Sequence, residues 1–142
     1  MDGIQEMTGA GMTREVEGRT YRFAALTTRD YGEIERRILQ LRPDPLEALA
    51  ARARDLPEVA LRRLAELAYQ DLRRGPLVRY EELCEWLESE AGLRFRTFLS
   101  LRHDQPGITE PEAADVLDAL RRQGPRQAEE MLDATDGMPS GN

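Results

Sequence analysis

The sequence contains no lysine: all 20 of its basic residues are arginine, and it has a single cysteine and a single histidine. Because Cys84 has no second cysteine to pair with, an internal disulfide is excluded and a reducing compartment is expected. Aromatic residues are also scarce, at 6%, whereas charged residues reach 33%. This composition favours a helical soluble domain over a strand-rich sandwich or a disordered chain, and 142 residues suffice for one such domain.

The sequence also lacks an excess of positive charge and any long apolar segment. The formal net charge is -7, and phosphate groups or anionic lipids are bound mainly through dense basic surfaces, so neither nucleic acid nor a membrane is expected as a partner. The first residues lack the basic and apolar regions of a signal peptide, and no segment is long and apolar enough for a membrane span. We therefore expect a cytoplasmic protein.

The only histidine, His103, is followed directly by Asp104 in the stretch "FLSLRHDQPGITEPE". A metal phosphohydrolase or a zinc site needs several further histidine or cysteine ligands, which the chain does not have, so no metal is expected. Thr109 and Glu112 have the spacing of a capping box at the start of a new helix. His103 then lies at the end of the preceding helix, where interaction with unpaired carbonyl groups predicts a structural role.

Catalytic and cofactor-binding motifs are not found elsewhere in the sequence. The stretches "GRTYR" and "GLRFR" lack the spacing of a phosphate-binding loop, and acidic residues are too abundant for any pair to be singled out. Cys84 and His103 would together make the nucleophile and base of a small enzyme, but Cys84 falls in the apolar stripe of its predicted helix. We predict no enzymatic activity, no catalytic residue and no cofactor.

A β-hairpin is predicted near the N-terminus. The stretch "MTREVEGRTYRF" alternates apolar and polar residues around Glu17-Gly18, which has the character of a two-residue turn. With this turn Met12 opposes Phe23. An isolated hairpin is marginal in water, so its apolar face must pack on the helices that follow. That face consists of Met12, Val16, Tyr21 and Phe23.

Helical spacing of apolar residues and capping signals predict about five further elements, all helical. Thr27 or Thr28 caps the first, Asp44 with Pro45 the second, and Asp55 the third. The stretch "RYEELCEWLESEAG" is predicted as one helix, and "LRFRTFLSLR", which fits a strand or a helix, is assigned to a helix. In the second and third helices the stripes expected to be buried are Leu46, Leu49, Ala50 and Ala53, and Leu61, Leu64, Ala68 and Leu72.

The predicted fold class is α+β, mostly α-helical, with the N-terminal β-hairpin packed on a bundle of about five helices. Residues 1–11 are predicted to be a disordered lead-in, since they are glycine-rich and lack periodicity. Residues 12–124 are predicted to form a single domain, and residues 125–142 a short helix and a mobile tail.

The segment "VEGRTYRFAALTTRDYGEIERRI" and the later "WLESEAGLRFRTFLSLRHDQPGITEPEAADVL" together resemble tail assembly chaperones of long-tailed bacteriophages and prophages. The resemblance covers roughly residues 12–120. It implies a non-enzymatic factor in the cytoplasm of a bacterial host that binds the long, apolar, helical tape-measure protein. This factor would keep the tape-measure protein soluble while tail-tube subunits polymerise around it. The tail-tube protein is a second implied partner.

Contact with the client is assigned to Trp86, Phe95 and Phe98, aromatic residues near the borders of their helical stripes. The alternative is that all three belong to the core, as aromatic residues at helical spacing usually do. An alternative function is that of a structural subunit of a phage tail or contractile injection particle. Such a subunit would be found in finished particles, from which a chaperone would be absent.

Overall fold

The computed structural model describes residues 11–74 and 77–137. Its first elements are two antiparallel strands, β1 (Gly11–Val16) and β2 (Arg19–Ala24). Within the described residues seven helices follow: α1 (Thr28–Leu41), α2 (Pro45–Arg52), α3 (Glu58–Arg74), α4 (Tyr80–Glu88), α5 (Glu90–Arg102), α6 (Glu110–Gln123) and α7 (Pro125–Thr135). The fold is α+β and mostly helical, as predicted. Across the described ranges, no helix combines the length and apolar character that a membrane crossing requires.

The hairpin has the predicted register and turn. Glu17 and Gly18 both have positive φ, at 49° and 80°, which is the backbone of a two-residue type I′ turn. Met12 pairs with Phe23. Because side chains alternate along a strand, this register places the apolar residues of both strands on one face. Of these, Val16, Tyr21 and Phe23 are buried and Met12 is half-buried.

A first core cluster is formed by residues of the hairpin, α6 and α7, together with the end of α5. Phe23, Leu101, Leu117 and Met131 lie there with no exposed surface. The hairpin therefore has the helical cover that its apolar face requires.

α7 is part of the domain. Met131 is fully buried in the first cluster, and the Leu26 backbone N–H donates to the Thr135 carbonyl at 2.8 Å. The domain thus extends through this helix rather than ending at residue 124, because α7 covers the hairpin. Gly11, predicted to belong to the lead-in, lies in β1. The rest of the predicted lead-in, and the predicted tail after residue 137, lie outside the described residues.

α1, α4 and α5 enclose a second core cluster, in which Ile34, Leu99 and their neighbours are buried. Phe98 is half-buried and packs against both clusters. Five helices, α1 and α4 to α7, thus form the bundle on which the hairpin lies, and α2 and α3 stand beside it.

Ser89 divides the segment that was predicted as one helix into α4 and α5. It is the C-cap of α4 and the N-cap of α5, and its hydroxyl accepts from the Gly92 backbone N–H at 3.1 Å. The two helices approach closely here, because a Cβ on Gly92 would lie 1.8 Å from the Trp86 carbonyl oxygen. The sequence "LRFRTFLSLR" is helical, as predicted.

The helix starts follow the predicted capping residues with one exception. Thr27 and Asp30 form a capping box at α1, and Thr109 forms another with Glu112 at α6. Asp44 caps α2, its side chain accepting from the Leu46 N–H. Asp55 is not the cap of α3, because that helix begins later, at Glu58.

Candidate functional site

α2 and α3 pack principally on each other, and neither contributes to the two core clusters. We call this helix pair the arm. Among its described side chains only Ala68 is buried. The two stripes that the sequence predicted to be buried are therefore correctly spaced but largely uncovered, because each helix has only the other to pack against. In α3 the half-buried Leu61 and Leu64 are followed by Leu72, which is exposed.

The exposed large apolar side chains of the described residues all lie on the arm, in the segment that follows it, or at the ends of α1 and α4 that adjoin it. Their exposed fractions range from 41% for Leu67 to 82% for Val59. Scattered exposed apolar residues are ordinary on protein surfaces, but concentration in one region marks an interaction site. The residues concerned are Leu41, Leu46, Val59, Leu67, Tyr69, Leu72, Leu77 and Tyr80.

A groove of about 880 Å³ lies between the arm and the bundle. Its apolar lining includes Leu39, Leu72 and Leu77, and its rim has charged side chains of both signs. Arg42 spans this region: its guanidinium forms a salt bridge with Glu82, and Nη2 also donates to the Leu77 carbonyl at 2.8 Å. The hydrogen bond from Arg42 lowers the pKa of the Glu82 carboxyl. Arg42 therefore ties the end of α1 to α4 and to the segment that leads into it.

The arm region differs in charge from the rest of the chain. Residues 42–80 contain eight arginines and six acidic residues, a formal charge of +2, so the remaining residues account for -9 of the total of -7. Part of the arm's charge is paired internally, with Arg62 3.4 Å from Glu58 and Arg63 3.6 Å from Glu66. These pairs are exposed and contribute little to stability. Their consequence is a nearly balanced charge around the apolar surface.

His103 lies at the end of α5, as predicted, but its partner is distant in sequence. Its Nε2 is 2.7 Å from Oδ2 of Asp30, a buried carboxylate with 1% of its surface exposed. Oδ2 also accepts from the Thr27 backbone N–H at 2.9 Å, and Oδ1 accepts from Arg102 at 3.1 Å. Arg102 contacts Glu33 at 2.6 Å as well. This Asp30 cluster joins the start of α1 to the end of α5.

The pKa of Asp30 is lowered by the balance of two effects. Burial, the largest single influence, raises it, but the hydrogen bonds from Thr27 and His103, together with the positive charge nearby, outweigh burial. A buried carboxylate held ionised by several donors is typical of a structural cluster as well as of an active site. Here the carboxylate is covered on all sides by its own partners, so it has no face open to a substrate.

Cys84 and His103 are each engaged with a different residue. A hydrogen bond with Cys84 raises the pKa of the Tyr80 phenol, whereas His103 contacts Asp30. A nucleophile and base must lie within hydrogen-bond reach of each other. Within residues 11–74 and 77–137 there is no cluster of three or more His, Cys, Asp or Glu side chains arranged for a metal ion.

Trp86, Phe95 and Phe98, to which partner contact was assigned, form an aromatic group against the second core cluster. Phe95 is only 7% exposed, and its ring centroid lies 6.0 Å from that of Trp86 and 6.0 Å from that of Phe98. The Arg37 guanidinium covers the outer side of Phe95 at 4.1 Å from the ring centroid. Phe95 thus has the position of a core residue, while Trp86 and Phe98 are half-buried.

Comparison with known proteins found no matching family model, no matching curated protein and no matching solved structure. The function must therefore be inferred from the residues of the chain and their arrangement.

Proposed function

We propose that this protein is a non-enzymatic phage tail assembly chaperone, which binds apolar helical segments of a tape-measure-like protein in the cytoplasm of a bacterial host. The observation that carries the proposal is the concentration of exposed apolar side chains on the arm and its junctions. The resemblance of residues 12–120 to such chaperones supports it independently. The client-binding surface is then the arm, rather than the aromatic group of Trp86, Phe95 and Phe98.

The chemistry of the arm suits a helical client. An amphipathic helix binds another protein by laying its apolar face, with anchors at i, i+3, i+4 and i+7, into a hydrophobic groove. The groove beside the arm offers Leu39, Leu72 and Leu77 as apolar contacts. The rim has charged side chains of both signs, so it can pair with positive or negative residues on either side of the apolar face of the client helix. The acidic remainder of the chain keeps the complex soluble through its net charge.

Co-expression with the candidate tape-measure protein tests the proposal. The amount of soluble client is measured with the wild-type chain, with the double variant Leu46→Ser and Leu72→Ser, and with a control variant, Thr13→Ser and Thr20→Ser. All four positions are exposed, so each variant is expected to fold. We expect the arm variant to lower the soluble fraction of the client and the control to leave it unchanged. A client that is equally soluble without this chain would refute the chaperone function.

Finished particles distinguish the chaperone from the alternative of a structural subunit. A chaperone is absent from purified tails, whereas a subunit of a tail or contractile injection particle is present in fixed stoichiometry. The salt dependence of client binding is a separate test, which concerns how the arm binds its client. Because binding through the arm is driven mainly by apolar burial, added salt is expected to weaken the complex only slightly.

A further inference from the structure

The arm joins the bundle through two segments, one that enters it and one that leaves it. α2 and α3 pack principally on each other, and their described side chains do not belong to the two core clusters. The entering segment, residues 42–44, follows α1 and contains Pro43, which lacks the N–H that a continuing helix would need. The described part of the leaving segment, residues 77–79, runs directly into α4. Contacts made by these segments therefore influence where the arm lies relative to the bundle.

Arg42 in the entering segment forms three hydrogen bonds with the leaving segment and α4. Its Nε donates to Oε2 of Glu82 at 3.2 Å, and its Nη2 donates to Oε1 of the same carboxylate. Nη2 also donates to the Leu77 carbonyl oxygen at 2.8 Å. Because a planar guanidinium that binds both oxygens of one carboxylate has a defined geometry, this contact fixes the two segments relative to each other. We call it the clasp.

The clasp is a contact that can break and re-form. The side chains of Arg42 and Glu82 are 36% and 37% exposed, so water can replace their hydrogen bonds when they separate. Ion pairs between groups of such exposure contribute little net stability. A contact of this strength shifts an equilibrium between two arrangements rather than locking one of them.

The residues of the clasp also line the groove between the arm and the bundle. Arg42, Leu77 and Glu82 lie in its wall together with Leu39 and Leu72. Leu39 belongs to α1 in the bundle, whereas Leu72 belongs to α3 in the arm. A rotation of the arm about its two segments therefore changes the width of the groove.

We propose that the arm has two positions relative to the bundle, a closed one in which the clasp is formed and an open one in which it is broken. The arm moves between them as a unit, and the open position widens the groove. The motion itself does not depend on the proposed function. Only its consequence, control over the access of a client helix to the groove, rests on that function.

Double electron–electron resonance between two nitroxide labels measures the position of the arm in the full chain. The labels are attached at Gln70→Cys on α3 and Glu129→Cys on α7, both exposed positions, in a Cys84→Ser background. One dominant distance is expected while the clasp is intact. Arg42→Met keeps a long side chain but removes its donors. It is expected to raise the fraction of molecules outside the dominant distance by roughly threefold to tenfold.

Arg63→Met is the matched control. The Arg63 side chain is also on the surface, but its salt bridge with Glu66 lies within α3, so its loss is expected to leave the distance distribution unchanged. Hydrogen exchange separates movement of the arm from its unfolding. If the arm moves as a unit, the amides inside α3 exchange at the same rate in Arg42→Met as in the wild type.

Four outcomes would overturn the proposal. They are a wild type without a dominant distance, an Arg42→Met variant with the wild-type distribution, an Arg63→Met variant that broadens it equally, and faster exchange throughout α3 in Arg42→Met. No client is present in these measurements, so their outcome is separate from that of the co-expression test.

Discussion

Replacing Asp30 with asparagine tests whether the Asp30 cluster holds α1 on α5. Asp30→Asn keeps the size of the side chain and removes its charge. The carboxylate is 1% exposed and contacts His103 at 2.7 Å and Arg102 at 3.1 Å. In the variant these two donors face a neutral amide, and the charge-assisted part of both hydrogen bonds is lost.

The expected cost follows from what each partner can do after the substitution. Hydrogen bonds to charged groups contribute about 1.5–3 kcal/mol each, and breaking a buried ion pair costs about 3–5 kcal/mol when a charge is left without a partner. Here Arg102 retains Glu33 at 2.6 Å, and the His103 side chain is 35% exposed, so neither is left fully desolvated. We therefore expect a loss of about 3 kcal/mol in the free energy of unfolding near neutral pH.

The pH dependence has a definite sign. The pKa of Asp30 is lowered below its ordinary value of 3.8, so in this range the unfolded chain binds a proton more readily than the folded one. The stabilisation from the lowered pKa is fully present above the unfolded value and is lost as the pH falls through the folded one. The difference in the free energy of unfolding between wild type and Asp30→Asn should stay constant from about pH 7 to pH 5 and become smaller below about pH 4.

Urea denaturation at a series of pH values measures this difference, and Asp104→Asn is the matched control. Asp104 is next to His103 in the sequence but exposed, and substitutions at such sites usually change stability by less than about 0.5 kcal/mol. If Asp104→Asn costs as much as Asp30→Asn, or if Asp30→Asn is as stable as the wild type, the cluster does not have the role assigned to it.

Three further substitutions or deletions test the rest of the fold by thermal and urea unfolding. Phe23→Ala should cost about 3–5 kcal/mol, because the ring is 0% exposed in the first core cluster; a loss below about 1 kcal/mol would contradict its burial. Gly92→Ala should cost about 3 kcal/mol, because the new Cβ would lie 1.8 Å from the Trp86 carbonyl oxygen. Gly107→Ala, where a Cβ meets nothing within 4 Å, is its control and should be nearly neutral. Deleting residues 125–142 should abolish cooperative unfolding, since α7 fills the core; a deletion variant that melts like the full chain would make α7 an appendage.

The elements that the sequence predicted correctly are those governed by local rules, although for the cap of α1 it left a choice between Thr27 and Thr28. The hairpin register follows from alternation and from the turn at Glu17-Gly18, both visible within 12 residues. The capping residues Thr27, Asp44 and Thr109 act on backbone groups two or three positions away. Such contacts require no knowledge of the rest of the fold.

The features that could not be predicted depend on contacts between residues that are distant in the sequence. The pairing of His103 with Asp30 joins residues 73 positions apart, and the neighbouring Asp104 was the only carboxylate that the sequence placed beside it. Helical spacing identified the apolar stripes of α2 and α3, but periodicity does not say whether another element covers them. One local signal was present: proline residues flank the arm in "RPDP" and "GP". Because proline interrupts helices, these residues mark the boundaries of the arm as a separate structural unit.

The hairpin precedes in the chain the helices that cover it, so it is synthesised before them. β1 packs against α6 and α7, and Arg14 pairs with Glu130, 116 residues later in the chain. Contacts of such long range form slowly and cannot form at all until their second member has left the ribosome. Phe23 must therefore stay uncovered until α6 and α7 have been synthesised, while α1 to α3 can already form. In a series of ribosome-arrested chains, protease resistance of the hairpin should appear only once α7 has emerged. A chain that stalls earlier presents both an unpacked hairpin and an apolar arm to its neighbours, so premature termination of this protein carries a specific risk of aggregation.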